Sequence, residues 1–154
     1  MATVQAPFIY SKTIYNPTTP FEHKFGCLYP GKVFSISGIP FEDAKRFTVD
    51  VRNEKDIAFH FDVRIHGDNT DKIVRNTKKN KTSGWGVEER YLNGPCPFIR
   101  DKFFEMVILV DNSCYKVMVN GESVVEYKHR IAIDEVNRIE VKGDVRVTKV
   151  GIQE

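Results

Sequence analysis

The chain is poor in features that would staple, anchor or metallate it. Its 154 residues hold three cysteines, Cys27, Cys96 and Cys114, an odd number without CxxC spacing or a neighbouring histidine. That argues against a disulfide framework and a zinc site, and reduced thiols are expected. His23, His66 and His129 stand at unrelated spacings, so no metal or other cofactor is expected. Long apolar runs are missing: nowhere do about 18 apolar residues follow one another, and Met1 to Tyr10 lacks the basic-then-apolar order of an export signal. Neither a membrane span nor a classical leader is therefore expected. An excess of one charge is missing too, since 23 Lys plus Arg face 21 Asp plus Glu. A net charge of +2 gives no electrostatic case for nucleic acid or an anionic membrane.

Helical patterning is likewise absent, for no window of helical length carries a sustained i, i+3, i+4 apolar stripe. What is present is a succession of short β-branched and aromatic runs separated by turn signals. Residues 32–37, 46–52, 57–65, 72–76, 86–91, 103–110, 115–119, 123–128, 138–141 and 146–152 read as strands, so the fold class is all-β, a sandwich or a barrel. Asn120-Gly121 between apolar runs signals a two-residue hairpin, because both residues tolerate positive φ. The length suits one domain with its own core. No long-period repeat marks a second one. Residues 1–20, with Pro7, Pro17 and Pro20, read as an extended arm, and residues 21–154 as the globular domain.

The informative strand is 57–65. Ile57, Phe59, Phe61, Val63 and Ile65 occupy every odd position and face one way; His60, Asp62 and Arg64 project in a row from the other side. Downstream, the single tryptophan stands between glycines in Gly84-Trp85-Gly86, followed by Glu88 and Arg90. These residues answer the chemistry of a pyranose, whose hydroxyls both donate and accept and whose C–H face seeks a flat apolar surface. His60, Asp62, Arg64, Asn76, Glu88 and Arg90 supply the polar groups, and Trp85 the platform. Galactose, with its axial 4-hydroxyl, presents a more continuous apolar patch than glucose.

Other readings of the same residues stand beside this one. Arg64, Glu88 and Arg90 read equally as a solvated ion-pair ladder. Asn76 reads as a turn residue bonding locally. Phe103, Phe104, Met106 and Ile108 read as sandwich core. Lys78, Lys79 and Lys81 read as a solubilising hairpin tip, and Asn80-Lys81-Thr82 fits a glycosylation acceptor but is read as a polar loop. Asp62 and Glu88 are the minimum carboxylate pair of a glycoside hydrolase, yet Arg64 and Arg90 beside them favour the ionised forms over the protonated acid that such an enzyme needs.

The order His60-Phe61-Asp62-Val63-Arg64, Val74-Arg75-Asn76, Trp85-Gly86-Val87-Glu88-Glu89-Arg90 resembles the galectin signature H-x-N-x-R, V-x-N, W-G-x-E-x-R. The resemblance runs from about Phe21 to the C-terminus and includes Asn120-Gly121 and Tyr127-Lys128-His129-Arg130, which looks like the family's late F-x-x-R. It implies a two-sheet antiparallel jelly-roll sandwich and calcium-independent, non-enzymatic binding of β-galactoside glycans on glycoproteins or glycolipids. By residue match it implies that His60 and Arg64 hold the axial 4-hydroxyl, Asn76 and Glu88 the 6-hydroxyl, Trp85 stacks under the ring, and Arg90 orients Glu88 and reaches the neighbouring sugar. Location is expected to be cytoplasmic, or extracellular by leaderless export, and exposed edge strands leave a homodimer open.

One position departs from the pattern: Asp62 stands where the family has asparagine. An ionised carboxylate only accepts hydrogen bonds, whereas an amide also donates. Asp62 is expected to pair with Arg64 and so to withdraw donors from a sugar. Altered specificity or affinity follows, and a galectin-like module that has turned from sugar to protein is the alternative.

Overall fold

A computed structural model of the chain describes residues 8–80 and 84–153. Twelve strands are present among them: β1 (Lys12–Tyr15), β2 (Phe21–Lys24), β3 (Val33–Pro40), β4 (Arg46–Arg52), β5 (Ile57–Arg64), β6 (Lys72–Lys79), β7 (Gly84–Trp85), β8 (Phe104–Val110), β9 (Cys114–Val119), β10 (Glu122–Lys128), β11 (Arg138–Gly143) and β12 (Val145–Ile152). They form two six-stranded antiparallel sheets, ordered β1-β12-β3-β8-β9-β10 and β2-β11-β4-β5-β6-β7. The helical element among the described residues is a single 3₁₀ turn, Ile133–Glu135. No helix among them is long and apolar enough to cross a membrane.

The core lies between the sheets and is built by period-two patterning. On β5, Phe59, Phe61 and Val63 are fully buried against the opposite layer, each contributing about 1.5–3 kcal/mol by removal from water. Phe59 stacks on Tyr115 of β9 and Tyr127 of β10, with ring centroids 4.8 and 4.9 Å away. Phe47, Phe98 and Phe104 close the other end of the core, in edge and stacked contacts between 4.9 and 5.7 Å. One polar link crosses this interior: Thr77 donates to, or accepts from, the Tyr127 hydroxyl at 2.6 Å, and its Oγ1 also lies 2.9 Å from the Ala58 carbonyl.

Two short strands escape the sequence pattern. Lys12–Tyr15, within the segment read as an arm, pairs with β12, and Phe21–Lys24 pairs with β11. The β9–β10 hairpin turns at Asn120 and Gly121 with φ of 53° and 82°, as two left-handed central residues of such a turn require.

Two expectations need correction. Residues 86–91 are not a strand: regular pairing to β6 is confined to Gly84–Trp85, followed by one bridge between Arg75 and Glu89. Beyond Trp85 the chain is held by three backbone bonds to β6, Gly86 N–H to the Thr77 carbonyl at 3.0 Å and the Arg75–Glu89 pair at 2.9 Å each, and by the buried Arg75 guanidinium, which donates to the Tyr91 carbonyl at 2.8 Å. Phe103 is not core but 57% exposed, because β8 begins one residue later and turns Phe104 inward. Lys81 and Thr82, of the hairpin tip and the acceptor pattern, lie outside the described residues, as do the first seven residues of the arm.

Candidate functional site

Strand register builds the site. Asp50 of β4, His60 of β5 and Asn76 of β6 stand side by side, and the next row is Thr48, Asp62 and Val74. Side chains opposite one another across an antiparallel pair share a face, so these rows form a polar surface on the side of β5 away from the core. Trp85 faces Lys78 across the β6–β7 pair and closes one end. A cleft of about 360 Å³ results, lined among others by His60, Asp62, Arg64, Asn76, Trp85 and Glu88. Six of the seven residues singled out in the sequence therefore share one cleft. Arg90 does not line it; its Nε donates to Glu88 Oε2 at 2.8 Å and fixes that carboxylate.

Asp62 is the electrostatic centre. It is wholly buried, and Arg46 grips it with both Nε and Nη2 at 2.9 Å. Arg64 donates to the same carboxylate from Nε at 3.2 Å and from Nη2 at 3.0 Å. Burial alone would raise the Asp62 pKa, but hydrogen bonds from His60, Arg46 and Arg64 outweigh it and hold the group down at about 2. The expected Arg64 pairing is present. The partner that grips both carboxylate oxygens is Arg46, whereas Arg64 reaches Oδ2 alone; sequence reasoning missed Arg46 because only the β4–β5 register brings it there.

His60 is suspended between two carboxylates. Its Nδ1 lies 2.6 Å from Asp50 Oδ1 and its Nε2 3.5 Å from Asp62 Oδ2. Burial disfavours the imidazolium, yet the bonds to Asp50 and Asp62 prevail and push its pKa up to about 9. At neutral pH both ring nitrogens therefore carry protons, so toward a ligand His60 is a donor only.

Trp85 lies open above this network. It is 44% exposed, its ring centroid sits 4.7 Å from that of His60, and the Lys78 ammonium is 5.5 Å from the indole. Burying the free face of this indole against an apolar ring surface is favourable.

Asn76 is largely committed to the protein. Its Nδ2 donates to the Gly86 carbonyl at 2.9 Å, and its Oδ1 accepts from the Thr77 N–H at 2.8 Å and from Arg130 at 3.1 Å. One amide hydrogen remains for a ligand. Arg130 also donates to the Val87 carbonyl and to Glu89, at 2.9 and 2.8 Å, and so braces the loop that carries Trp85 and Glu88. Gly86 makes room for this: a Cβ there would stand 3.0 Å from Arg130 Nη1.

With this geometry in hand, comparisons with known proteins agree on one family. Residues 20–152 match the model of the galactoside-binding lectins. Bovine galectin-4 is 39% identical over 155 residues, covering 97% of this chain and 44% of that protein. Mouse galectin-6 is also 39% identical, with 97% of this chain and 48% of that protein covered. Rat galectin-8 is 35% identical over 91% of this chain and 45% of its own length. The chain thus spans less than half the length of these curated relatives. Among solved structures, Caenorhabditis elegans galectin LEC-6 superposes with a TM-score of 0.83 at 22% identity, over 96% of this chain and 100% of that one, a likeness of fold. Sheep galectin-11 in complex with glycerol gives 0.75 at 26% identity, over 88% and 98%.

Proposed function

The chain belongs to the galactoside-binding lectins, and on that premise we propose that it binds β-galactoside-containing glycans, without calcium and without chemistry, in the cleft beneath Trp85. The observation that carries this reading is the half-exposed indole standing beside the row His60, Asp62, Arg64. A pyranose stacked on Trp85 meets donors from His60 and Arg64, the remaining hydrogen of Asn76, and the Glu88 acceptor that Arg90 steadies. Arg64 and Arg46 are each partly engaged by Asp62, so simple lactose is bound more weakly than by a site with asparagine at that position.

A glycoside hydrolase is disfavoured by the same geometry. The carboxyl of Asp62 is ionised down to a pH of about 2 and so retains no proton to give to a leaving group near neutral pH, and Glu88 Oε2 is gripped by Arg90 at 2.7 Å. A protein-binding module with little sugar affinity is the second reading, and the double grip on Asp62 is what favours it. Retention on immobilised lactose, released by free lactose, supports the lectin; passage through the column together with no heat of binding in titration calorimetry refutes it. Turnover of a chromogenic galactoside, lost in Glu88→Gln, would establish the enzyme instead.

Cross-linking of glycans needs a second site. The open edges at β1 and β10 of one sheet and at β2 and β7 of the other are where a second copy would pair to supply it. The three free thiols suit a cytoplasmic protein, with leaderless export as the route to extracellular glycans.

A further inference from the structure

At the end of the sandwich where β3 and β4 join, three large apolar side chains stand in water. Phe41 is 45% exposed, and Ile99 and Phe103 are 57% exposed each. Hydrogen bonds tie the loops that carry them into one surface. The Asp101 N–H donates to the Pro40 carbonyl at 2.9 Å, Arg100 Nε to the Ala44 carbonyl at 2.7 Å, and the Phe41 N–H to the Asp144 carbonyl at 3.2 Å. Phe104 pairs with Gly38 of β3, so Phe103 emerges beside partly buried Ile39, whose other neighbour is Arg146 of β12. A buried aromatic side chain removes about 150–250 Å² from water, so the three leave roughly 300 Å² of apolar surface exposed, the size at which a patch on a monomer is often functional. Size alone names no partner.

The charges around the patch do. Glu42, Asp43 and Asp101 stand exposed against Lys45, Lys102 and Arg146, three of each sign, and none of the six side chains has a hydrogen bond or ion pair among the described residues. Elsewhere on the surface opposite charges pair, as Lys116 does with Asp111 and Arg90 with Glu88. A uniformly acidic or basic partner would be repelled by half of this rim. An identical surface, turned through a two-fold axis, brings each sign against the other.

We infer that a second copy of the chain docks here, Phe41, Ile99 and Phe103 of one protomer packing on those of its partner, with Glu42 and Asp43 of each facing Lys102 of the other. Strand edges bring backbone groups but no such apolar centre, and the β10 edge is guarded by exposed Glu122, Glu126 and Lys128. The apolar area falls below the roughly 800 Å² that each partner of a standard interface buries, so the pair is reversible. Trp85 stands in the row of Lys78 and Ile57, at the far end of β5 from Arg64 and its neighbour Arg46, and both indoles stay open. Resting on the lectin reading, such a pair presents two galactoside sites and cross-links glycoproteins; the pairing itself stands apart from that reading.

The test is sedimentation velocity of the whole chain from about 1 to 500 µM, with lactose calorimetry on every variant. The expected result is a monomer–dimer equilibrium with a dissociation constant on the order of 10 µM. Phe41→Ser and Phe103→Ser should each weaken pairing at least about ten-fold and leave lactose affinity within about two-fold. Lys102→Glu and Glu42→Lys should each weaken it too, and the two together should restore it to within about three-fold of the unaltered chain, a rescue that a folding defect would not give. The unaltered chain should precipitate a multivalent galactoside glycoprotein that Phe103→Ser binds without precipitating. A monomer at every concentration overturns the inference and leaves the lectin reading standing, as does a dimer that ignores both serine variants and is broken by Thr13→Pro at the β1 edge. Failure of the double charge variant to restore pairing overturns the two-fold arrangement. Pairing as described without any heat from lactose overturns the lectin reading alone.

Discussion

Replacing Asp62 by asparagine separates what the carboxylate does for the fold from what it denies a ligand. Four arginine hydrogen bonds between 2.9 and 3.2 Å converge on this buried group. An amide of the same shape keeps one acceptor oxygen and turns a donor toward the second guanidinium, so one arginine is released. The side chains of Arg46 and Arg64 are 55% and 33% exposed, so the freed cation is rehydrated, and the stability loss should fall at about 1–3 kcal/mol, below the 3–5 typical of a stranded buried charge. The same release returns donors to the cleft. One or two recovered hydrogen bonds, at about 1–1.5 kcal/mol each, tighten lactose binding by roughly five- to 150-fold. Urea unfolding and lactose calorimetry on the same preparation should therefore move in opposite directions. Asp62→Ala is the control, expected to lose stability without the amide donor. Unchanged or weaker lactose binding in Asp62→Asn would refute the claim that Asp62 withholds donors from the sugar.

Trp85→Ala should abolish measurable retention on lactose while shifting the melting temperature by no more than about 2 °C, since the indole is half exposed and makes little core contact; a large loss of stability would show the indole to be structural. Gly86→Ala forces Arg130 and Asn76 apart and should weaken galactoside binding at least about five-fold, as should Arg130→Lys, whose ammonium cannot serve Asn76, Val87 and Glu89 together; an unaltered Kd in both would show the brace to be dispensable. The pH dependence has a worked sign. His60, with its pKa raised to about 9, stabilises the fold fully below about pH 6.5, and that contribution disappears as pH rises through 9. Asp62, lowered to about 2, contributes above about pH 4 and loses its effect as pH falls through 2. Unfolding free energies measured from pH 5 to 10 should therefore decline on the alkaline side, and Asp50→Asn should flatten that decline; a flat wild-type profile would refute the charged state of His60.

Much of the platform was legible because a strand's two faces are written in alternate letters. The run 57–65 assigned Phe59, Phe61 and Val63 to the core and His60, Asp62 and Arg64 to the opposite side without reference to any other strand. What register decides was illegible. Arg46 lies 16 residues before Asp62, and no local spacing marks it as that residue's main partner. Short strands were missed where prolines nearby outweighed the pattern, as at 12–15 and 21–24. The opposite error was reading 86–91 as a strand, with Glu88 and Arg90 sharing one of its faces. Val87 and Tyr91 are in fact about 80% exposed, and the stretch keeps a single backbone bridge, Arg75 to Glu89, with arginine side chains supplying much of the rest where a continuous ladder was expected.

The hydroxyl contact between Thr77 and Tyr127 joins the two layers directly beneath the cleft, one residue along from Asn76. The layers are thereby pinned against sliding at the point where a sugar arrives. The work of ordering that floor is done when the chain folds, so glycan capture should resemble a key meeting a finished lock, with fast association and backbone amide exchange under the site almost unaltered by the guest.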